Sequence, residues 1–176
     1  MLYTGYTNNE VRNVLRVLFV CTGNTCRSPM AEALFRQMIQ AEMREQDMLT
    51  ISAGLSVWGD APASGQAIAV MRKQGVDLSS HRSRSLTPEL VEAADIILTM
   101  TGDHKRTLLA SVPEAKGKVF TLAEFSGEGF ADVADPYGAT EAVYQHCADE
   151  IRRCLTKSWE KILKFHKDNA GENTSA

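Results

Sequence analysis

A cysteine and an arginine six positions apart can carry phosphoryl chemistry when the chain between them curls, and Cys21-Thr-Gly-Asn-Thr-Cys-Arg27 has that spacing. Backbone N–H groups of Thr22, Gly23, Asn24, Thr25 and Cys26 turned inward would form an anion cradle, to which a following helix adds its positive end. A helix N-terminus and a nearby cation can lower a cysteine pKa from about 8.5 to roughly 3.5–7.5, so Cys21 stands where a thiolate is favoured. The donors that hold a thiolate also hold a phosphoryl group, and Arg27 offers a planar fork for two of its oxygens. Ser28 reads as N-cap of the helix, with Pro29 at its first position, and as hydroxyl donor to the Cys21 sulfur. Gly23 and Asn24 suit a loop needing left-handed angles. The bland alternative is a structural cysteine near an exposed arginine. The strand before the loop, the Gly-Asn pair and the Ser-Pro pair weigh against it.

Phosphatase chemistry on a cysteine also needs a group that protonates the leaving atom and then deprotonates the attacking water. An aspartate on a mobile loop can do both. Asp135 is the candidate, because Pro136 stiffens the turn that would present it; Asp-Pro taken alone is more often an ordinary turn. Asp132 lies close by without a following proline, and Asp60, Glu124 and Glu128 read as solvated loop charges. Trp58, exposed in the loop Leu55–Ala63, and Tyr137, after Asp135-Pro136, are placed to flank a bound substrate.

Cys21-Thr-Gly-Asn-Thr-Cys-Arg-Ser-Pro-Met-Ala-Glu-Ala33 resembles the signature of the low-molecular-weight protein tyrosine phosphatases. Their relatives, the thioredoxin-coupled arsenate reductases and the bacterial protein-arginine phosphatases, share it. The resemblance continues through Ser52-Ala-Gly54, Ser80-His-Arg-Ser83, Ala94–Met100, Lys118–Leu122 and Asp135-Pro-Tyr-Gly138, over roughly residues 14–165. It implies a phosphocysteine intermediate on Cys21, a general acid at Asp135, and a supporting role for His81 as hydrogen-bond partner of Asn24. It also implies phosphorylated protein substrates, inorganic phosphate as product, and a sheet of strand order 2-1-3-4.

Within the family, Thr25 occupies a place where tyrosine phosphatases typically carry isoleucine. Gly138 follows Tyr137 where they commonly carry a second aromatic. Both features resemble the arginine phosphatases, so phosphoarginine ranks first and phosphotyrosine second. A guanidinium can sit beside the Thr25 hydroxyl without an apolar clash and pair with the Asp135 carboxylate; phosphotyrosine would seek apolar flanks, which Trp58 and Tyr137 supply in part. Arsenate reduction ranks third, since the reductases carry two relay cysteines in the segment matching about residues 75–95 and this chain has none there. Cys26 is placed for a reversible protective disulfide with Cys21. The cysteine spacings lack the paired pattern of a zinc site, and no metal or cofactor is expected.

A chain of 176 residues with 44% hydrophobic content suits one domain. A net charge of −3 argues against general nucleic-acid binding, although Arg72, Lys73, Arg82 and Arg84 could form a local patch. Cys21, Cys26, Cys147 and Cys154, with no signal sequence or long apolar segment, suggest a reducing cytoplasm and no membrane association.

Apolar runs at Val14–Val20, Leu49–Ala53, Asp95–Thr99 and Val119–Leu122 read as strands. Helical patterns occupy Pro29 to about Glu45, Ser64–Gln74, a helix opening at Thr87-Pro88, Thr101–Leu109, and Thr140 to Phe165. Ala31, Leu34, Phe35, Met38 and Ala41 form the buried stripe of the first helix, with Glu32 outside it. Val143, Cys147, Ile151, Cys154, Leu155, Trp159 and Ile162 form that of the last, which makes Cys147 and Cys154 core residues. This alternation implies an α/β single domain, an open twisted four-stranded parallel sheet with helices on both faces. Residues 14–168 make up the domain, residues 1–13 read as a flexible N-terminal extension, and residues 169–176 as a disordered tail.

Overall fold

The computed structural model describes residues 14–128 and 132–172. The proposed extension over residues 1–13 and residues 173–176 of the proposed tail lie outside them. Four parallel strands, β1 (Leu15–Cys21), β2 (Met48–Gly54), β3 (Ile96–Thr99) and β4 (Val119–Thr121), form one sheet in the order β2-β1-β3-β4. The helices are α1 (Arg27–Ala41), α2 (Gly65–Lys73), α3 (Pro88–Ala93), α4 (Gly102–Ser111), α5 (Leu122–Ser126) and α6 (Glu141–Glu172).

Period-two alternation along β1 decides how the layers form. Val17 and Phe19 point into a core shared with α1, α2, α5 and α6, where Phe35 packs edge-on to both Phe19 and Trp159. Leu18 and Val20 point into the opposite core, with Val91 of α3 and Leu108 of α4. Burial on both faces explains why β1 is apolar throughout except at exposed Arg16.

Several elements depart from the sequence expectations. Ser28 lies inside α1, whose N-cap is Cys26 and has no side-chain cap bond; the Ser28 hydroxyl is used elsewhere. Helix α1 stops at Ala41, which is exposed, four residues before Glu45. Glu32, assigned to the outer face, is buried. Residues 122–126 form α5, so Leu122 opens a helix rather than ending the fourth strand and Glu124 is helical rather than in a loop, because Thr121 and Glu124 make a reciprocal capping box. Glu124 also pairs with Lys105 at 2.7 Å, and Glu128 with Lys157 and Arg153, so neither is a free loop charge. A 3-10 turn over Pro113–Gly117 precedes β4. Val143 is 44% exposed, off the buried stripe of α6, while Cys147 and Cys154 lie in the core. Helix α6 continues past Phe165 to Glu172, into the segment read as tail.

Candidate active site

The loop between β1 and α1 emerges at the C-terminal edge of a central strand, where open α/β sheets place their ligands. Asn24 holds it in shape. Its φ is +54°, the left-handed angle that the turn requires, whereas Gly23 is not among the positive-φ glycines. Buried Asn24 donates from Nδ2 to Ser28 Oγ and to Ser52 Oγ, both at 2.9 Å, and accepts at Oδ1 from Arg84 N at 2.9 Å. His81 Nε2 meets the Asn24 backbone carbonyl at 2.8 Å. Ser52 in turn donates to Glu32 Oε2 at 2.6 Å. Side chains of α1 and β2 and the loop of residues 81–84 thus converge on one asparagine.

The end of this chain is Cys21. Because Asn24 donates to the Ser28 oxygen, the Ser28 hydroxyl has its proton to give, and it lies 2.9 Å from Cys21 Sγ and 3.4 Å from the Ala53 carbonyl oxygen. Gly54 is needed beside it: a Cβ there would lie 2.6 Å from Thr22 O and 3.0 Å from Asn24 N. The close approach lets Leu55 N and Ser56 N reach Cys21 O and Thr22 O, at 3.0 and 2.9 Å.

Arg27 is 4% exposed and its fork is divided. Nη1 donates to Val133 O at 3.1 Å, and Nη2 pairs with Asp135 Oδ2 at 2.9 Å. Nε is buried with no partner among the described residues, a donor left over for an anion in the cradle. Asp135 is held in a turn in which Tyr137 N donates to its Oδ1 at 3.2 Å and Gly138 takes a positive φ of 73°. Asp132 instead accepts from Gly102 N at 2.8 Å and ties its segment to the start of α4.

Cys21, Thr22, Gly23, Thr25, Cys26 and Arg27 line one pocket of about 400 Å³, with Asp135, Trp58 and Tyr137 around it. Trp58 and Tyr137 are 90% and 77% exposed. Asn24, Ser28 and His81 stand behind the pocket as its scaffold. The four thiols are free. Cys26 Sγ contacts Tyr144 Oη at 3.2 Å, and burial pushes the Tyr144 hydroxyl up to about 12. Burial also pushes Cys147 up to about 12, which suits an inert core thiol. Among the described residues no group of three or more His, Cys, Asp or Glu could hold a metal ion, and no helix is long and apolar enough to cross a membrane.

The family model described as low molecular weight phosphotyrosine protein phosphatase matches residues 16–168. The chain belongs to this family. It is a cysteine-dependent protein phosphatase. A protein-arginine-phosphatase of Bacillus subtilis is 37% identical over 148 residues, 84% of this chain and 97% of that protein. The low molecular weight protein tyrosine phosphatase of T. tengcongensis superposes with a TM-score of 0.80 at 44% identity, covering 84% of this chain and 99% of the other. A cysteine-to-serine mutant of the arginine phosphatase YwlE, with a phosphorylated active-site serine, superposes with a TM-score of 0.81 at 35% identity, covering 85% and 97%.

Three residues of this phosphatase site escaped the sequence reading. Glu32 and Ser52 terminate the network behind Asn24, and nothing in helical or strand periodicity marks a buried glutamate that reaches a serine on a neighbouring strand. His104 reaches Thr22 Oγ1 with Nε2 at 2.9 Å. Its position in the first turn after β3, at the ligand-binding edge of the sheet, was the available signal.

Proposed function

We propose that this phosphatase removes phosphoryl groups from arginine side chains of proteins, with Cys21 as nucleophile, Arg27 as phosphoryl clamp and Asp135 as acid, then base. The Cys21 thiolate attacks phosphorus while the P–N bond breaks, and the Asp135 carboxylic acid gives its proton to the departing guanidine nitrogen. Water then attacks the phosphocysteine, Asp135 takes its proton, and inorganic phosphate leaves as the thiolate is restored. The phosphorylated serine in the YwlE mutant supports such a covalent step. The catalytic unit is assigned to residues 14–168, and the four free thiols support a reducing, cytoplasmic setting.

The observation that carries the choice of phosphoarginine is the Thr25 hydroxyl on the pocket wall. Thr25, partly exposed beside Cys26, brings a hydroxyl where an aliphatic side chain would favour a phenyl ring, and the Asp135 carboxylate already pairs with a guanidinium, that of Arg27. The name of the B. subtilis relative agrees with this reading. Exposed Trp58 and Tyr137 favour phosphotyrosine as a second substrate. A side-by-side measurement of kcat/KM on phosphoarginine and phosphotyrosine peptides, with reduced protein, decides between them. Higher kcat/KM on the phosphotyrosine peptide would overturn the ranking.

A further inference from the structure

His104 takes no part in the mechanism above, yet it touches the anion loop. Its backbone N–H is capped by Thr101 Oγ1 at 3.2 Å, which fixes it in the first turn of α4. Its side chain is buried, with Nε2 2.9 Å from Thr22 Oγ1 and Nδ1 without a partner among the described residues. The charged groups that act on it are Arg27 of α1, Asp132 and Asp135 of the segment before α6, and Asp103 of its own helix. Burial first, and then the Arg27 guanidinium, hold the His104 pKa below its ordinary value against the opposing pull of the three aspartates.

The partners assign the tautomer. A proton on Nδ1 would bury an N–H donor with nothing to accept it, the kind of orphan that folded proteins avoid most strictly. With the proton on Nε2, the imidazole donates to Thr22 Oγ1 and only a lone pair is left unmatched. The Thr22 oxygen then accepts from the histidine, and its own proton must point elsewhere. Thr22 is exposed and lines the pocket together with Cys21 and Arg27, so the pocket is the open direction.

We propose that neutral His104 is a positioning residue that donates Nε2–H to Thr22 and aims the Thr22 hydroxyl proton into the pocket, as an added donor to phosphoryl oxygens. A hydroxyl oriented in advance needs no reorganisation when negative charge builds on those oxygens. The turnover part of this inference rests on the phosphatase reading above. The binding part does not.

A double-mutant cycle tests it, using wild type, His104→Leu, Thr22→Val and the pair. The readouts are kcat and KM on an activated aryl phosphate, and calorimetric affinity for inorganic phosphate. Each single change should lower kcat by about ten- to a hundredfold, at or below the loss of a whole oxyanion donor, with a smaller effect on KM. The pair should be no worse than the more damaged single variant, and phosphate affinity should show the same coupling. His104→Gln, whose amide nitrogen reaches the Nε2 position, should restore most of kcat, whereas His104→Asn should not. Should His104→Leu fail to fold, the Gln and Asn variants still separate donation from packing. Additive losses in the cycle, or Gln as impaired as Asn, overturn the proposal. Turnover near the wild-type rate in Cys21→Ser would instead sink the proposed mechanism on Cys21, and the phosphate-binding cycle would still test His104.

Discussion

Arg27 and Asp135 are joined by an ion pair of 2.9 Å, the arginine side chain 5% and the aspartate side chain 53% exposed. The residues proposed as phosphoryl clamp and as acid for the leaving group therefore neutralise one another when the pocket holds no anion. A phosphate entering the cradle finds Arg27 Nε unpartnered but must compete with Asp135 for Nη2.

Asp135→Asn should act in two opposite directions. Releasing Nη2 should tighten phosphate or vanadate binding by about two- to fivefold, the scale of a half-exposed ion pair. Hydrolysis of substrates with poor leaving groups should fall by about 10²–10⁴-fold, with much smaller losses on activated aryl phosphates. Calorimetry and paired steady-state kinetics check both arms, and equal losses on the two substrate classes would point to a structural role.

Cys21→Ser should abolish turnover and keep anion binding. A serine hydroxyl is far less ionised than a thiol, while the amide cradle, Arg27 and the Asn24 network do not depend on the sulfur. Phosphate should still raise the melting temperature of the variant. Turnover near the wild-type rate would exclude Cys21 as nucleophile.

The strand–loop–helix at Cys21, the four strands, and the core stripe of α6 beyond Val143 were legible in the sequence because each rests on local periodicity or on a short motif, while the strand order followed from the family resemblance. The support network was not. Glu32 looked like a surface charge on α1 because its partner, Ser52, belongs to a strand twenty residues away. Gly54 read only as the end of β2, yet it stands there because the loop of Thr22 and Asn24 passes too close for a side chain. Ser28 reads both as a cap and as a partner of Cys21; it lies inside the helix, 2.9 Å from Cys21 Sγ, and its tie to Asn24 is the part left unread. Contacts between distant elements leave no periodic trace.

Gly54→Ala follows from that close approach. A methyl group 2.6 Å from the Thr22 carbonyl oxygen and 2.6 Å from Val57 Cγ2 cannot be accommodated without moving the loop. The variant should lose about 1–3 kcal/mol of stability, as overpacked sites do, and bind phosphate more weakly. Gly65→Ala, with open space at its Cβ position in the first turn of α2, is the control and should not destabilise the protein. Chemical denaturation of both variants measures the contrast.

His104 adds a pH dependence with a defined sign. Its pKa in the folded protein lies below the ordinary value, chiefly through burial and secondarily through Arg27, so the unfolded chain takes up the proton first as pH falls. The contribution of neutral His104 is therefore fully present above the unfolded pKa of about 6.5 and is lost as pH falls from there through the folded pKa. Wild type should lose melting temperature between pH 7.5 and 5 more steeply than His104→Gln, which has nothing to protonate. Parallel slopes for the two proteins would show that another group carries the acid sensitivity.

Thr25→Ile tests the choice of substrate directly. Isoleucine keeps the β-branch and hence most of the backbone preference of the loop. It removes the hydroxyl and sets an apolar branch against whatever is bonded to phosphorus. A guanidinium would lose a polar neighbour, at about 1–3 kcal/mol for a buried polar group left unpaired, while a phenyl ring would gain contact. With 1.36 kcal/mol to each factor of ten, the ratio of kcat/KM values should move from phosphoarginine toward phosphotyrosine by roughly ten- to a hundredfold. The Asn24 network lies behind the loop and, among the described residues, the Thr25 hydroxyl meets Cys26 Sγ at 3.6 Å rather than any member of that network, so circular dichroism and melting temperature should stay near wild type. A folded Thr25→Ile protein with an unchanged ratio would remove Thr25 as the determinant and shift attention to the exposed aromatic pair, Trp58 and Tyr137.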